Sequence, residues 1–445
     1  MRRFIAAAVT LLVSLVGVVG VPPLASAEPP PDYFVDPTKL PFDALPGLPS
    51  QRWWGTHGGA GYRIEVPEGW NGELVLWAHG FAGNGLELTV GTHPLRAHLL
   101  SEGYAWAASS YRRNDYDVKA GVADTHALTT LFSGLVGRPT RTYLTGASMG
   151  GHITAAAIEQ YPNAYDGAMP ICGVLGDYEL FDYFLDFNVA AQQLGTGSSA
   201  FPVDPPTYLG TTVPAIKQAL SGGAWPAPVT PAAQQLKTLT MLRSGGIRPN
   251  FDSAWLFWNS IPGIFSGQSG NFLFDLGLGD GTLVGHPGVA VDNTDAVYQL
   301  DLDPALSADE VAFNQAIVRV ASEPQGRHPA GMANIPVVKG NPRIPVLTLH
   351  NLGDLFVPFG MEIEYARRVA DNGVSDLVVQ RAIRGVGHCD FTSQEFTTAF
   401  DDLVRWVEEG VKPSGDAVLD PGVVAAPGYG CTFTRGSHLL AEPCP

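Results

Sequence analysis

The hexapeptide Gly146-Ala147-Ser148-Met149-Gly150-Gly151 has the residue types of a turn that presents a nucleophile. It stands between the strand-like stretch 141–145 and an Ala-rich one at 152–161, so it is expected to leave a strand and enter a helix. In that setting the serine occupies a strained turn, and flanking side chains larger than hydrogen would collide with the neighbouring strand and helix. A serine hydroxyl also needs a base to take its proton. Imidazole, with an ordinary pKa of about 6.5, suits that exchange at neutral pH. Among the eleven histidines, His388 follows a glycine-containing loop at 383–387 that can swing its ring over the edge of a sheet. His350 lies inside an apolar run and reads as a neighbour of the site.

Elements of alternating type must position these two residues. The alternating residues 62–67 predict an edge strand, and a turn at 68–72 joins it to a nearly continuous apolar strand at 73–79. A helix at 93–102, a strand at 104–109, a helix at 121–136 and the strand at 141–145 follow, then the helix at 152–161 and a strand at 165–171. Residues 28–51 are Pro-rich and read as an extended arm. The rhythm stops from 174 to 340, a segment too long for a structureless loop and therefore expected to carry its own fold. Its aromatics Phe251, Trp255, Phe257, Trp258, Phe265, Phe272 and Phe274 either shape a substrate pocket or hold the segment together. Strand 344–350, helix 361–372, strand 377–382 and helix 394–409 complete the pattern. The fold class is α/β, a mostly parallel central sheet with helices on both faces and a large inserted cap. The predicted organisation is 28–173 and 341–445 as the two parts of one core, with 174–340 as the cap.

The first residues have another purpose. Met1-Arg2-Arg3, an apolar run to about Val21 and then Ala25-Ser26-Ala27 predict a secretory signal over 1–27, with no membrane anchor left after cleavage. The net charge of −17 and the lack of clustered Lys and Arg argue against nucleic acid as a partner. Four cysteines in an exported chain suggest two disulfides, for which three pairings are formally possible. Cys431 and Cys444 are close enough for a local clasp, worth about 3 kcal/mol in the loop-entropy model, which leaves Cys172 for Cys389. There is no His-Glu-x-x-His and no Cys-x-x-Cys. Asp275 and Asp280 do not match a calcium loop and read as a solvated turn, and the glycines of 55–61 lack the lysine of a phosphate loop. No metal or cofactor is expected.

With Gly146-x-Ser148-x-Gly150 between strand and helix, the chain resembles the α/β-hydrolase superfamily over about 62–173 and 343–409, in the manner of secreted serine esterases and lipases with a large cap. The family's oxyanion loop follows an early central strand. Here His79-Gly80-Phe81-Ala82-Gly83 has that place, so the resemblance implies an oxyanion hole from the backbone N–H groups of Phe81 and Met149. The family's triad runs in the order Ser, acid, His, which implies Asp354, just after the strand ending at His350. Asp371 and Asp376 read as solvated caps, and Asp390 is too near His388 in sequence to reach behind its ring. A bridge from Cys172 to Cys389 is similar to one in tannase and feruloyl esterase relatives, where a disulfide ties the segments bearing Ser and His. There the first cysteine adjoins the nucleophile, whereas Ala147 stands in that position here. The implied activity is hydrolysis of small or polymeric carboxylic esters. The alternatives are an exopeptidase like those resembling prolyl oligopeptidase, with Asp309-Glu310 to grip an amino terminus, an acyltransferase, or a non-catalytic binding protein.

Overall fold

The chain enters its sheet by a hairpin. Strand β1 (Ser50–His57) pairs antiparallel with β2 (Ala60–Pro67), Trp53 opposite Ile64, and Gly58-Gly59 make the turn with φ of 59° and 89°. Both glycines adopt the left-handed backbone that tight hairpins need. The computed structural model describes residues 32–445 other than 199, 202–203, 280–287, 325 and 328–333. The expected signal segment 1–27 and Asp280 lie outside the described residues. Strand β2 was expected at the edge, but β1 covers it. The sequence of β1, with Arg52, Trp53, Trp54 and Gly55 mixed and mostly half-exposed, lacks the alternation that marks a strand.

Strand β3 (Glu73–Ala78), helix α1 (Arg96–Ser101), β4 (Ala105–Ser109), α2 (Val118–Leu135), β5 (Arg141–Ala147), α3 (Met149–Gln160) and β6 (Gly167–Ile171) follow in the alternation read from the sequence. The insertion then supplies α4 (Glu179–Thr196), a short α5 (Pro205–Thr207), α6 (Val213–Ser221), α7 (Pro231–Arg243), α8 (Phe251–Trp258) and α9 (Ala308–Ala316). Strand β7 (Val346–Asn351), α10 (Gly360–Asp371), β8 (Val378–Ile383), α11 (Ser393–Glu409) and a short α12 (Pro421–Val424) close the chain. The eight strands lie in the order β1-β2-β4-β3-β5-β6-β7-β8. All pairs from β4 to β8 are parallel.

Alternation along a strand sends successive side chains to opposite faces, and the sheet uses both. On β3, Leu74, Leu76 and Ala78 join the core beneath α2 and α3, while Val75 and Trp77 join the core beneath α1 and α11. The apolar stripe of α11, with Phe396, Phe400, Leu403 and Val404, packs on that second face as its spacing predicts. The insertion shares a core with the sheet. Phe181, Trp255, Trp258 and Phe274 belong to the same continuous apolar cluster as Leu74 and Ile153. At the C-terminus, Cys431 is bonded to Cys444 as a local clasp. Among the described residues no helix is long and apolar enough to cross a membrane.

Candidate active site

Ser148 is the hinge between β5 and α3, with φ 59° and ψ −122°, a conformation that costs a non-glycine residue of order 1–3 kcal/mol. Its surroundings hold it there. Its N–H donates to Ile171 O at 3.0 Å, and its carbonyl accepts from Gly151 N at 2.9 Å. The flanking glycines are required by contact: a Cβ on Gly146 would lie 2.2 Å from Gly150 O, and one on Gly150 only 2.0 Å from Ala78 O. Both obstacles are backbone. Gly150→Ala is therefore expected to cost about 2–3 kcal/mol of stability, read as a lower urea midpoint with an unchanged slope. A midpoint equal to that of the parent would show that β3 gives way.

His388 reaches this serine from the loop after β8. Its Nε2 lies 2.8 Å from Ser148 Oγ, and its Nδ1 lies 2.6 Å from Asp354 Oδ2. Asp354 is completely buried, so Nδ1–H donates to the carboxylate and Nε2 is free to accept from the serine hydroxyl. The other carboxylate oxygen accepts from Phe356 N at 2.9 Å and Val357 N at 3.0 Å. The acid loop and the histidine loop touch backbone to backbone: Leu352 N donates to Ile383 O and Gly353 N to Gly385 O. The structure thus brings Ser148, His388 and Asp354 together at the C-terminal ends of β5, β7 and β8.

The rivals are elsewhere. His350 is buried behind the acid loop, where its Nε2 donates to Val357 O at 2.8 Å. Asp390 faces Leu439 N and His438, while Asp371 and Asp376 are exposed. Phe81 is half-buried on the loop leaving β3, and Met149 opens α3. Their loops meet at the serine, because a Cβ on Gly80 would sit 3.2 Å from Ser148 Cβ.

Cys172, just past β6, is bonded to Cys389, which follows the histidine, with Cα atoms 5.3 Å apart. The bridge anchors the histidine loop to the sheet two strand positions from its own strand. Cys172, His388 and Cys389 lie close together, but both sulfurs are oxidised and cannot serve as thiolate ligands.

The order of strands, with the Ser148 turn after β5 and the Asp354 and His388 loops after β7 and β8, decides the fold. This is the α/β-hydrolase fold. No family model matches the sequence. The chain is similar to an o-phthalyl amidase of Xanthobacter agilis, 23% identical over 418 residues that cover 80% of this chain and 87% of that protein. Among solved structures, it is similar to feruloyl esterase B from Aspergillus oryzae at a TM-score of 0.48 and 15% identity, with 86% of each chain covered. A rice cell wall degrading esterase from Xanthomonas oryzae is similar at a TM-score of 0.36 and 16% identity, covering 78% of this chain and 84% of that one.

Within this fold, Glu310 and Trp255 are committed to structure, whereas Asp309 is exposed. Glu310 is buried in a capping box, where it accepts from Leu300 N and Ser307 N; these amides hold its carboxyl below the usual range. It is not free to grip an amino terminus. Asp275, read as part of a solvated turn, is instead buried, and its carboxylate accepts from Phe265 N and Ser266 N. Trp255 is fully buried, its indole N–H on Pro226 O. The sequence reading missed that Trp258, Arg248 and Tyr183 all donate to carbonyls of the acid loop. No motif announces such contacts, because residues 95 to 172 apart in the chain share no spacing.

Proposed function

We propose that this protein is a serine hydrolase that cleaves carboxylic esters through an acyl-enzyme intermediate. The observation that carries the reading is the hydrogen-bonded chain from Ser148 Oγ through both nitrogens of His388 to the buried Asp354. Ser148 attacks the carbonyl as its proton passes to His388 Nε2, and Asp354 steadies the imidazolium. The N–H groups of Phe81 and Met149 receive the oxyanion, each such donor typically worth about 3 kcal/mol of barrier. His388 then protonates the leaving alcohol, and water releases the acyl group by the reverse path.

One observation favours a second reading. The similarity to an o-phthalyl amidase runs along 80% of the chain, and the same triad cleaves amides. A panel of chromogenic esters with short, long and aromatic acyl groups, run beside phthalyl and aminoacyl amides, separates the two. Higher kcat/KM for the esters is expected, and a clear preference for the amides would replace esterase by amidase. Export from the cell is part of the proposal, supported by the expected signal segment and by two disulfides that persist in oxidising surroundings.

A further inference from the structure

We propose that Arg248 and Trp258, both contributed by the insertion, are positioning residues of the triad: they hold the acid and histidine loops together and set a buried positive charge behind Asp354. The inference rests on the hydrolase reading and adds a role for the insertion to it.

The loop that follows β7 must turn sharply inside the protein, and a buried carbonyl left without a partner costs roughly 1–3 kcal/mol. Its N–H groups at Leu352 and Gly353 are used by the histidine strand and loop. Its carbonyls are satisfied largely from the insertion. Arg248 Nε donates to Leu352 O at 2.6 Å, and Tyr183 Oη on α4 donates to Leu355 O at 3.2 Å. The Trp258 indole N–H, at the end of α8, is shared between Gly353 O and Val386 O, 2.9 Å from each. One of these carbonyls immediately precedes Asp354, and the other lies two residues before His388. A single donor therefore ties the two loops whose separation fixes the Asp354–His388 hydrogen bond. Nothing else about Trp258 requires its N–H to point there. Its ring is already packed on Phe272, with centroids 4.6 Å apart, and that packing would survive loss of the donor.

Arg248 is unusual in its partners. It is only 5% exposed, yet its three hydrogen bonds go to neutral acceptors: Leu352 O, Gly246 O and Ser244 Oγ. Burying a guanidinium without a bonded carboxylate is costly unless a negative charge lies nearby. Burial pushes its pKa down to about 10, and the charge of Asp354 opposes that fall. It remains cationic at neutral pH, with the carboxylate of Asp354, two residues beyond the carbonyl that its Nε bonds, as a nearby anion. The titratable groups around the acid are thus Arg248 and Tyr183 from the insertion, His388 from the loop after β8, and His350 on β7 with Glu362 on α10 behind it. A fixed cation opposes the addition of a further positive charge to groups nearby.

The test compares Arg248→Met, Arg248→Lys and Trp258→Phe with the parent protein on one activated ester, over a range of pH, in preparations shown to be folded by circular dichroism. For Arg248→Met, kcat is expected to fall about 10- to 100-fold with KM held within about twofold, as for a misplaced catalytic group. The acid limb of kcat/KM should move up by about half a pH unit or more, because a cation facing the dyad has gone. Arg248→Lys should return the limb to its original place, and Trp258→Phe should lower kcat about tenfold and leave the limb still. A folded Arg248→Met with full kcat, or with reduced kcat and an unmoved limb, overturns the proposal, since the latter is what a merely structural residue gives. If the methionine variant does not fold, Arg248→Gln takes its place under the same criteria. Labelling of Ser148 by a fluorophosphonate in the parent separates the two levels. Its absence defeats the hydrolase reading and this inference together, whereas labelling with unaltered Arg248 variants defeats the inference alone.

Discussion

Ser148→Ala is expected to lower kcat/KM on an activated ester by about 10⁴- to 10⁶-fold and to abolish labelling by a fluorophosphonate. Oγ is the only heavy atom removed. Alanine meets the same backbone, φ 59° and ψ −122°, with the same Cβ, so the turn is neither more nor less strained than before. His388 and Asp354 keep their bond, which does not involve the serine. Thermal unfolding should therefore coincide with that of the parent, and this separates loss of chemistry from loss of fold. Activity within tenfold of the parent would remove Ser148 from the mechanism and the esterase proposal with it.

Asp354→Asn is expected to lower kcat by about 10⁴-fold, and here the reason is the direction of one hydrogen bond. Phe356 N and Val357 N both donate to Asp354 Oδ1. An asparagine must turn its carbonyl oxygen toward them, so its NH₂ faces His388 Nδ1. A donor at that place selects the tautomer with the proton on Nε2, which can no longer accept the proton of Ser148. Binding should be little affected, because the acid is buried and out of a substrate's reach. Steady-state kinetics should show kcat falling with KM nearly constant. Equal losses in Asp354→Asn and Asp390→Asn, or loss in the latter alone, would reassign the acid.

The two effects differ in kind. In the proposed mechanism the serine supplies the attacking atom, whereas the aspartate supplies only orientation and charge, and its own position depends on the loops that the insertion braces. This dependence gives the insertion a share in the chemistry although its described helices contribute no member of the triad. The position of Trp258 illustrates the point. A tryptophan in an aromatic-rich segment is naturally read as lining a substrate pocket, yet its indole N–H bonds the backbone on either side of the acid–histidine pair.

What could be read directly from the residues was whatever local sterics and short-range periodicity control. The turn Gly146 to Gly150 is legible because a glycine forced by a backbone contact of 2.2 or 2.0 Å leaves its identity in the sequence at a fixed distance from the nucleophile. The central strands are legible because burial on both faces favours mostly apolar runs, as at 74–78 of β3 and 346–349 of β7. Strand β1 was not, since an edge strand half in solvent tolerates Arg52 beside Trp53 and depends on pairing with β2 for its shape. The insertion was legible only as a break in rhythm. Its helices, its core shared with the sheet and the donors it aims at Leu352, Gly353 and Leu355 arise from contacts between residues far apart in the chain. Such contacts are satisfied by whichever side chain happens to reach, so tertiary structure alone decides them. The turn at Ser148 is a local steric necessity, while the alignment of Asp354 behind His388 is a collective product of folding.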